Sequence, residues 1–236
     1  MPPLHCLGGR AIRTNVYIDG FNLYYGCLKG SPYKWLNLEH LFDSVLPRNT
    51  VQSIKYFTAR VEPRPSDPDL AVRQMMYLRA LGTLPRVSTH FGSFLTSPVR
   101  APVLACGPNG APLRTGRRLV VKTKPSGAVV MEWVCKSEEK GSDVNLASHL
   151  LRDAFLRSCD CAVIVSNDSD LLTPIRMAQQ DCGLVVGLVT PRPRGSVELR
   201  QLANFQRQIR PHHLVAAQFP DPVHDHVGPI TKPLGW

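Results

Sequence analysis

The chain has little of what would tie it to a membrane, a secretory route or a cysteine-built metal centre. No apolar run approaches the ~20 residues that a membrane-spanning helix needs. The opening stretch MPPLHCLGGRAIRTN has no apolar core of signal-peptide length. The seven cysteines are an odd number. No CxxC or HxxxH pattern joins them, and Cys159 and Cys161 are too close for the usual zinc spacing. Reduced thiols in a soluble, cytoplasmic protein are therefore expected. A P-loop is excluded because no GxxxxGK[ST] stretch occurs. Internal repeats and heptads are absent too. Acidic residues are scarce, with 18 Asp and Glu against 28 Lys and Arg in 236 residues, a formal charge of +10. Such a balance favours a polyanionic partner by steering, and is no argument about fold.

What is present is a βα rhythm. Strands are expected at 15–18, 53–61, 86–94, 162–165 and 184–189, where β-formers alternate or run continuously. Helical spacing of apolar residues predicts helices over 36–46, 70–81, 142–156 (with Ser142 as N-cap), from 171 onward, and over 196–202. This alternation implies a mostly parallel sheet with helices on both faces. Residues 96–118 interrupt it with four prolines and three glycines. Segments 119–122 and 128–135 are expected to pair as a hairpin across Pro125–Gly127. From Arg100 to Met131 there are six Lys or Arg residues and no acid, the composition either of a solvated insertion or of an arm that touches phosphates. Residues 1–13 read as a loose basic leader, and 215–236 as a flexible tail.

Carboxylates gather at predicted strand ends. Asp19 follows the first strand, Asp168 and Asp170 follow the strand at 162–165, and Asp143 opens the helix that precedes it. In open α/β sheets ligands collect outside the carboxyl ends of the strands. Four carboxylates in one cleft repel unless a cation neutralises them. Hard oxygen donors without His or Cys favour magnesium or manganese. Each acid also has a simpler reading. Asp19-Gly20 makes a turn, Asp143 suits a helix N-terminus, and Asp168 or Asp170 caps the next helix. A phosphatase of the haloacid-dehalogenase type needs Asp-x-Asp after its first strand, and Phe21 stands where the second Asp belongs. His149, two turns beyond Asp143, reads as a packed helix residue. Among Phe21, Tyr24 and Tyr25, core packing outweighs base stacking.

Three blocks, YIDGFNLYY at 17–25, KGSDVNLASHLLRDA at 140–154 and VIVSNDSDLLTPIRMA at 163–178, resemble the signature blocks of the NYN domain, a family of the PIN-like, FLAP-nuclease-related ribonuclease fold. The resemblance covers about residues 15–214. It implies a Rossmann-like three-layer α/β/α domain over 14–214, carrying the basic Pro/Gly-rich insertion at 96–135. It also implies a ribonuclease dependent on Mg2+ or Mn2+, with RNA as partner. Carried over, Asp19, Asp143, Asp168 and Asp170 become metal ligands and catalytic residues, supported by Asn22 and Ser166. Asn167 departs from the pattern, where Gly is common, and places a side chain beside the site. Lys140, Arg117, Arg118, Lys122, Arg192 and Arg194 are the expected phosphate contacts. An RNA-binding scaffold without turnover is the alternative. Oligomeric state stays open, a homodimer included.

Overall fold

The computed structural model of the protein describes residues 11–191 and 195–236. They form a mixed α/β fold on a seven-stranded sheet of order β6-β3-β2-β1-β7-β8-β9. β1 (Ile12–Asp19) lies at its centre, between β2 (Asn49–Ala59) and β7 (Cys161–Val165). β8 (Val185–Thr190) and β9 (Phe205–Gln208) extend one side; β3 (Val87–Pro102) and β6 (Met131–Lys140) extend the other. Five neighbouring pairs, β1 with β2, β1 with β7, β2 with β3, β7 with β8 and β8 with β9, are parallel.

The central strands are apolar on both faces because helices cover both. Val16, Tyr17 and Ile18 are all fully buried, the continuous burial a parallel sheet demands. Val16 and Ile18 face a core shared with α2 (Leu38–Val45), α3 (Leu70–Leu81) and α7 (Pro211–Ala216). Tyr17 faces the opposite core, shared with α4 (Ser142–Phe155), α5 (Leu172–Gln180) and α6 (Val197–Leu202). α2 shows how local sequence sets these elements. Asn37 caps it by accepting from the His40 N–H at 3.1 Å, and Leu38, Leu41, Phe42 and Val45 bury one face. No helix among the described residues is long and apolar enough to cross a membrane, and none of the six described cysteines is in a disulfide.

Several expectations change. The leader does not extend to residue 13, because Ile12 and Arg13 already belong to β1. Arg13 reaches across to Asp160, with Nη2 and Oδ1 2.8 Å apart. The tail after 214 is not loose either. The Phe219 N–H donates to the Trp35 carbonyl at 2.9 Å, and the Trp35 indole donates to the Pro220 carbonyl at 3.0 Å. Val223 and Ile230 enter the core, flanked by the short strands β10 (Val223–His224) and β11 (Pro229–Ile230). Apolar residues spaced singly among prolines and histidines carry no periodicity, which is why the sequence hid this packing. Ser142 is the first residue of α4 and not its cap; Gly141 takes the cap position with φ 94°, in the left-handed region that favours glycine.

Residues 94–139 form a compact unit of their own, apart from 1–93 and 140–236. Inside it β4 (Arg114–Thr115) and β5 (Arg118–Leu119) pair antiparallel. Lys124 N–H to Ala128 O (2.8 Å) and Gly127 N–H to Lys124 O (2.9 Å) close a second turn around Pro125 and Ser126.

A buried ionic knot fastens α4 to the sheet. The Asp153 carboxylate accepts from Lys55 Nζ, from the Tyr17 hydroxyl at 2.6 Å and from Asn15 Nδ2 at 3.2 Å. Burial opposes its ionisation, but the Lys55 ammonium and these donors more than offset that, so its pKa falls below the usual 3.8. Replacing Lys55→Met strands this carboxylate in the core and should cost about 3–5 kcal/mol at neutral pH in urea denaturation. A group with a depressed folded pKa stabilises above its unfolded value and loses that contribution as pH falls. The stranded carboxylate of the variant takes up a proton more readily, so the gap between variant and wild type should narrow as pH falls, starting above the ordinary carboxylate value of 3.8 and continuing below it.

Candidate functional site

β1 delivers Asp19 to the carboxyl edge of the sheet, where the chain turns directly into α1 (Gly20–Leu23). Asp19 is its N-cap. Oδ1 accepts from the Asn22 N–H at 2.9 Å, and Oδ2 accepts from Asn22 Nδ2 and from the Ser166 hydroxyl at 3.0 Å. Ser166, fully buried just past β7, in turn accepts from the Asp168 N–H at 3.0 Å. Asp168 caps the 3-10 turn Ser169–Leu171, accepting from the Asp170 N–H at 2.9 Å. The ends of two adjacent parallel strands are thereby joined through one serine hydroxyl.

Asp19 is only 4% exposed. Burial raises its pKa, and although the three hydrogen bonds work against this, the nearby Asp168 charge adds to it. A carboxylate held in this way binds a positive group at its open side more strongly than an exposed one would.

Asp143 sits in the first turn of α4 at the same edge. That placement follows from Gly141, which approaches Gly92 beside the last β2–β3 register pair, and from Asn145 Nδ2, which donates to the Phe91 carbonyl at 3.2 Å. Asp170, within the 3-10 turn, is exposed. Among the described residues no group of three or more His, Cys, Asp or Glu side chains is close enough to hold a metal ion. The four acids thus do not close into one cluster. Asp19 and Asp168 form the inner pair, and the capping duty expected of one acid falls to Asp168. Lys140 ends β6 and is exposed. Arg117, Arg118 and Lys122 lie in the unit of residues 94–139, and Arg192 and Arg194 fall outside the described residues.

Asn22 and Asn167 extend the network. Asn22 Oδ1 accepts from the Asn167 N–H at 3.3 Å. The Asn167 side chain has both amide atoms buried without a hydrogen-bond partner among the described residues. It lies against Gly195, where an added Cβ would come within 2.2 Å of its Oδ1. The extra side chain at 167 is accommodated because residue 195 has none.

Sequence reasoning missed Tyr56. Its ring stands over Gly20, and its hydroxyl is raised in pKa by burial first and then by the Asp19 charge. The strand pattern gave it no distinction from any core aromatic. Gly20 reads differently as well. Rather than supplying a turn conformation, it lets Tyr56 and the Phe57 carbonyl approach. The aromatic group divides: Tyr24 packs on the core, while Tyr25 is 46% exposed with Lys29 Nζ 4.8 Å from its ring centre. His149 packs against Phe57 and His90, its ring centre 4.2 Å from that of His90.

The NYN domain family model matches residues 114–207, a span that contains Asp143, Ser166, Asp168 and Asp170. A curated protein, 6-hydroxy-3-succinoylpyridine 3-monooxygenase HspA of Pseudomonas putida (strain DSM 28022 / S16), is 32% identical over 255 residues, covering 98% of this chain and 77% of that protein. A solved structure of a protein of unknown function, VPA0982 from Vibrio parahaemolyticus RIMD 2210633, superposes with a TM-score of 0.51 at 16% identity. That superposition covers 86% of this chain and 96% of the other, and it supports the fold alone. The family model and the fold define a mixed α/β protein with a nuclease-like fold. The chain belongs to the NYN domain family.

The close fit at Gly20 is testable. In Gly20→Ala the new methyl would lie 2.7 Å from Tyr56 Cζ and 2.8 Å from the Phe57 carbonyl oxygen. Overpacking of this kind should cost about 1–3 kcal/mol in urea denaturation. An unchanged midpoint would show that this wall of the site yields easily.

Proposed function

We propose that the protein is a metal-dependent ribonuclease that hydrolyses RNA phosphodiester bonds at the carboxyl edge of β1 and β7. The observation that carries this reading is the Asp19 carboxylate, buried, fixed by Asn22 and Ser166, and adjacent to Asp168. A pure binding surface gains nothing from burying a carboxylate that must stay charged.

The donor set fits a small hard cation. Magnesium takes oxygen ligands and commonly binds through one or two carboxylates plus substrate phosphate, so the Asp19–Asp168 pair suffices without a third protein ligand. When bound, Mg2+ or Mn2+ supplies Lewis acidity toward a phosphate oxygen and a water of lowered pKa. The chain's own residues do the rest. Ser166 and Asn22 hold the Asp19 oxygens in one orientation, which costs no reorganisation during the reaction. Asp143 and Asp170, at the same edge, orient the attacking water and accept its proton. Lys140, Arg117, Arg118 and Lys122 are assigned to the phosphates of the strand.

A second reading comes from the relative's name: monooxygenation of a substituted pyridine. It requires dioxygen and a two-electron reductant, and the chain has no GxGxxG fingerprint for a dinucleotide.

The two readings separate in one set of assays. Labelled single-stranded RNA with Mn2+ should be cleaved by the wild type, with at least about a hundredfold loss in Asp19→Asn/Asp168→Asn. Mn2+ should also raise the thermal midpoint of the wild type and not of the double variant, since a ligand stabilises only the form that binds it. Equal cleavage by both proteins would sink the ribonuclease reading. Reductant-dependent consumption of 6-hydroxy-3-succinoylpyridine without RNA cleavage would install the second.

A further inference from the structure

Beside the free edge of the sheet, past β9, lies a cavity of about 550 Å3. Arg200, Arg207, Arg210, His212 and His213 line it, with glutamines at 206 and 208, and no Asp or Glu reaches its wall. Among the described residues none of these three guanidiniums pairs with a carboxylate. Arg200 goes further, for its Nε is buried without any hydrogen-bond partner among the described residues. A buried donor left unmade is costly, and three cations around one hollow repel one another. Both costs are relieved by the same occupant, an anion.

The lining residues are held in place for that task. The Arg207 guanidinium stacks on Phe205, 5.5 Å from the ring centre. Gln206 Nε2 donates to the Arg200 carbonyl at 2.7 Å. The Arg210 N–H donates to His213 Nδ1 at 3.1 Å, which leaves Nε2 of that ring for a ligand. Side chains rich in donors, three of them planar guanidinium forks, match phosphate geometry and charge better than a single carboxylate.

Contacts connect the cavity to the acidic pair. Thr190, the last residue of β8, lines it. Gly195 fits between Thr190 and the Asn167 side chain, and the Asn167 N–H is bound to the Asn22 side chain that holds Asp19. A chain of contacts through Gly195, Asn167 and Asn22 therefore runs from the cavity wall to Asp19.

We propose that this cavity is a phosphate subsite for the RNA strand, gripping backbone phosphates away from the bond that is cut. The assignment rests on the ribonuclease reading above and names a second point of attachment for the same substrate.

Binding without turnover tests it. A fluorescein-labelled single-stranded oligoribonucleotide of about 12 nucleotides is titrated by anisotropy in EDTA, at several salt concentrations. Arg207 and Arg210 are exposed, so Arg207→Ala/Arg210→Ala should keep the wild-type denaturation midpoint. It should bind about tenfold more weakly, and the slope of log K against log salt should fall by about 1.4, or 0.7 for each lost contact. Arg207→Lys/Arg210→Lys should recover that slope, and inorganic phosphate should compete with the oligonucleotide. Affinity within twofold of wild type with an unchanged slope would overturn the subsite. Failure of the wild type to bind the oligonucleotide, or competition by succinate but not phosphate, would overturn it too. Asp19→Asn should bind like the wild type. A wild type that binds but never cleaves would refute the ribonuclease while leaving the subsite standing.

Discussion

One serine hydroxyl holds the site together. Ser166 Oγ donates to Asp19 and accepts from the Asp168 backbone, so the ends of β1 and β7 meet in a single shared atom. The parallel register of those strands sets the meeting point, with Ile18 opposite Val165. Neither carboxylate could be placed so closely by its own loop alone. The sheet sets the distance and the hydroxyl fixes the angle, while burial makes the Asp19 charge expensive enough to want a partner.

The molecule separates its charges by location. The acidic residues at the sheet edge stand on a chain of net charge +10, and the guanidiniums past β9 have no acid among them. On the proposed ribonuclease reading, a substrate carrying many phosphates would be drawn by the whole field and held by the basic cavity, and would meet carboxylates only where a cation intervenes. The Lys55–Asp153 pair belongs to neither group. Buried and answered by Tyr17 and Asn15, it fastens α4 to the sheet, and with it the first turn that carries Asp143.

How much of this could be read in advance varies with the kind of signal. The strand at 162–165 and the helix at 70–81 were legible because hydrophobic period and length both point one way. Asp19, Asn22, Ser166 and Asp168 were legible as a set because three separated blocks share a family pattern. The inner pairing of Asp19 with Asp168, to the exclusion of the other two acids, depends on side-chain rotamers and on a 3-10 turn that spacing does not encode. Tyr56 was invisible, since a tyrosine in a buried strand looks like core until its neighbour is known to be Gly20. The basic cavity was missed for a related reason. Arg200, Arg207 and Arg210 come from a helix, a strand and the start of α7, and only the β8–β9 pairing brings them round one hollow. For the tail, the apolar residues were too sparse to announce a core contribution.

That tail changes where the domain stops. Trp35, 1% exposed, lies beneath Phe219 and donates to Pro220, and Tyr77 packs against both Trp35 and Trp236. A boundary drawn at Leu214, where the family resemblance fades, would uncover two large aromatic rings and the apolar side chains of α2 and α3 around them. The residues beyond the family blocks are thus the outer wall of one core, and a shortened chain that keeps Asp19, Asp143, Asp168 and Asp170 would have an intact site on a fold open at its side.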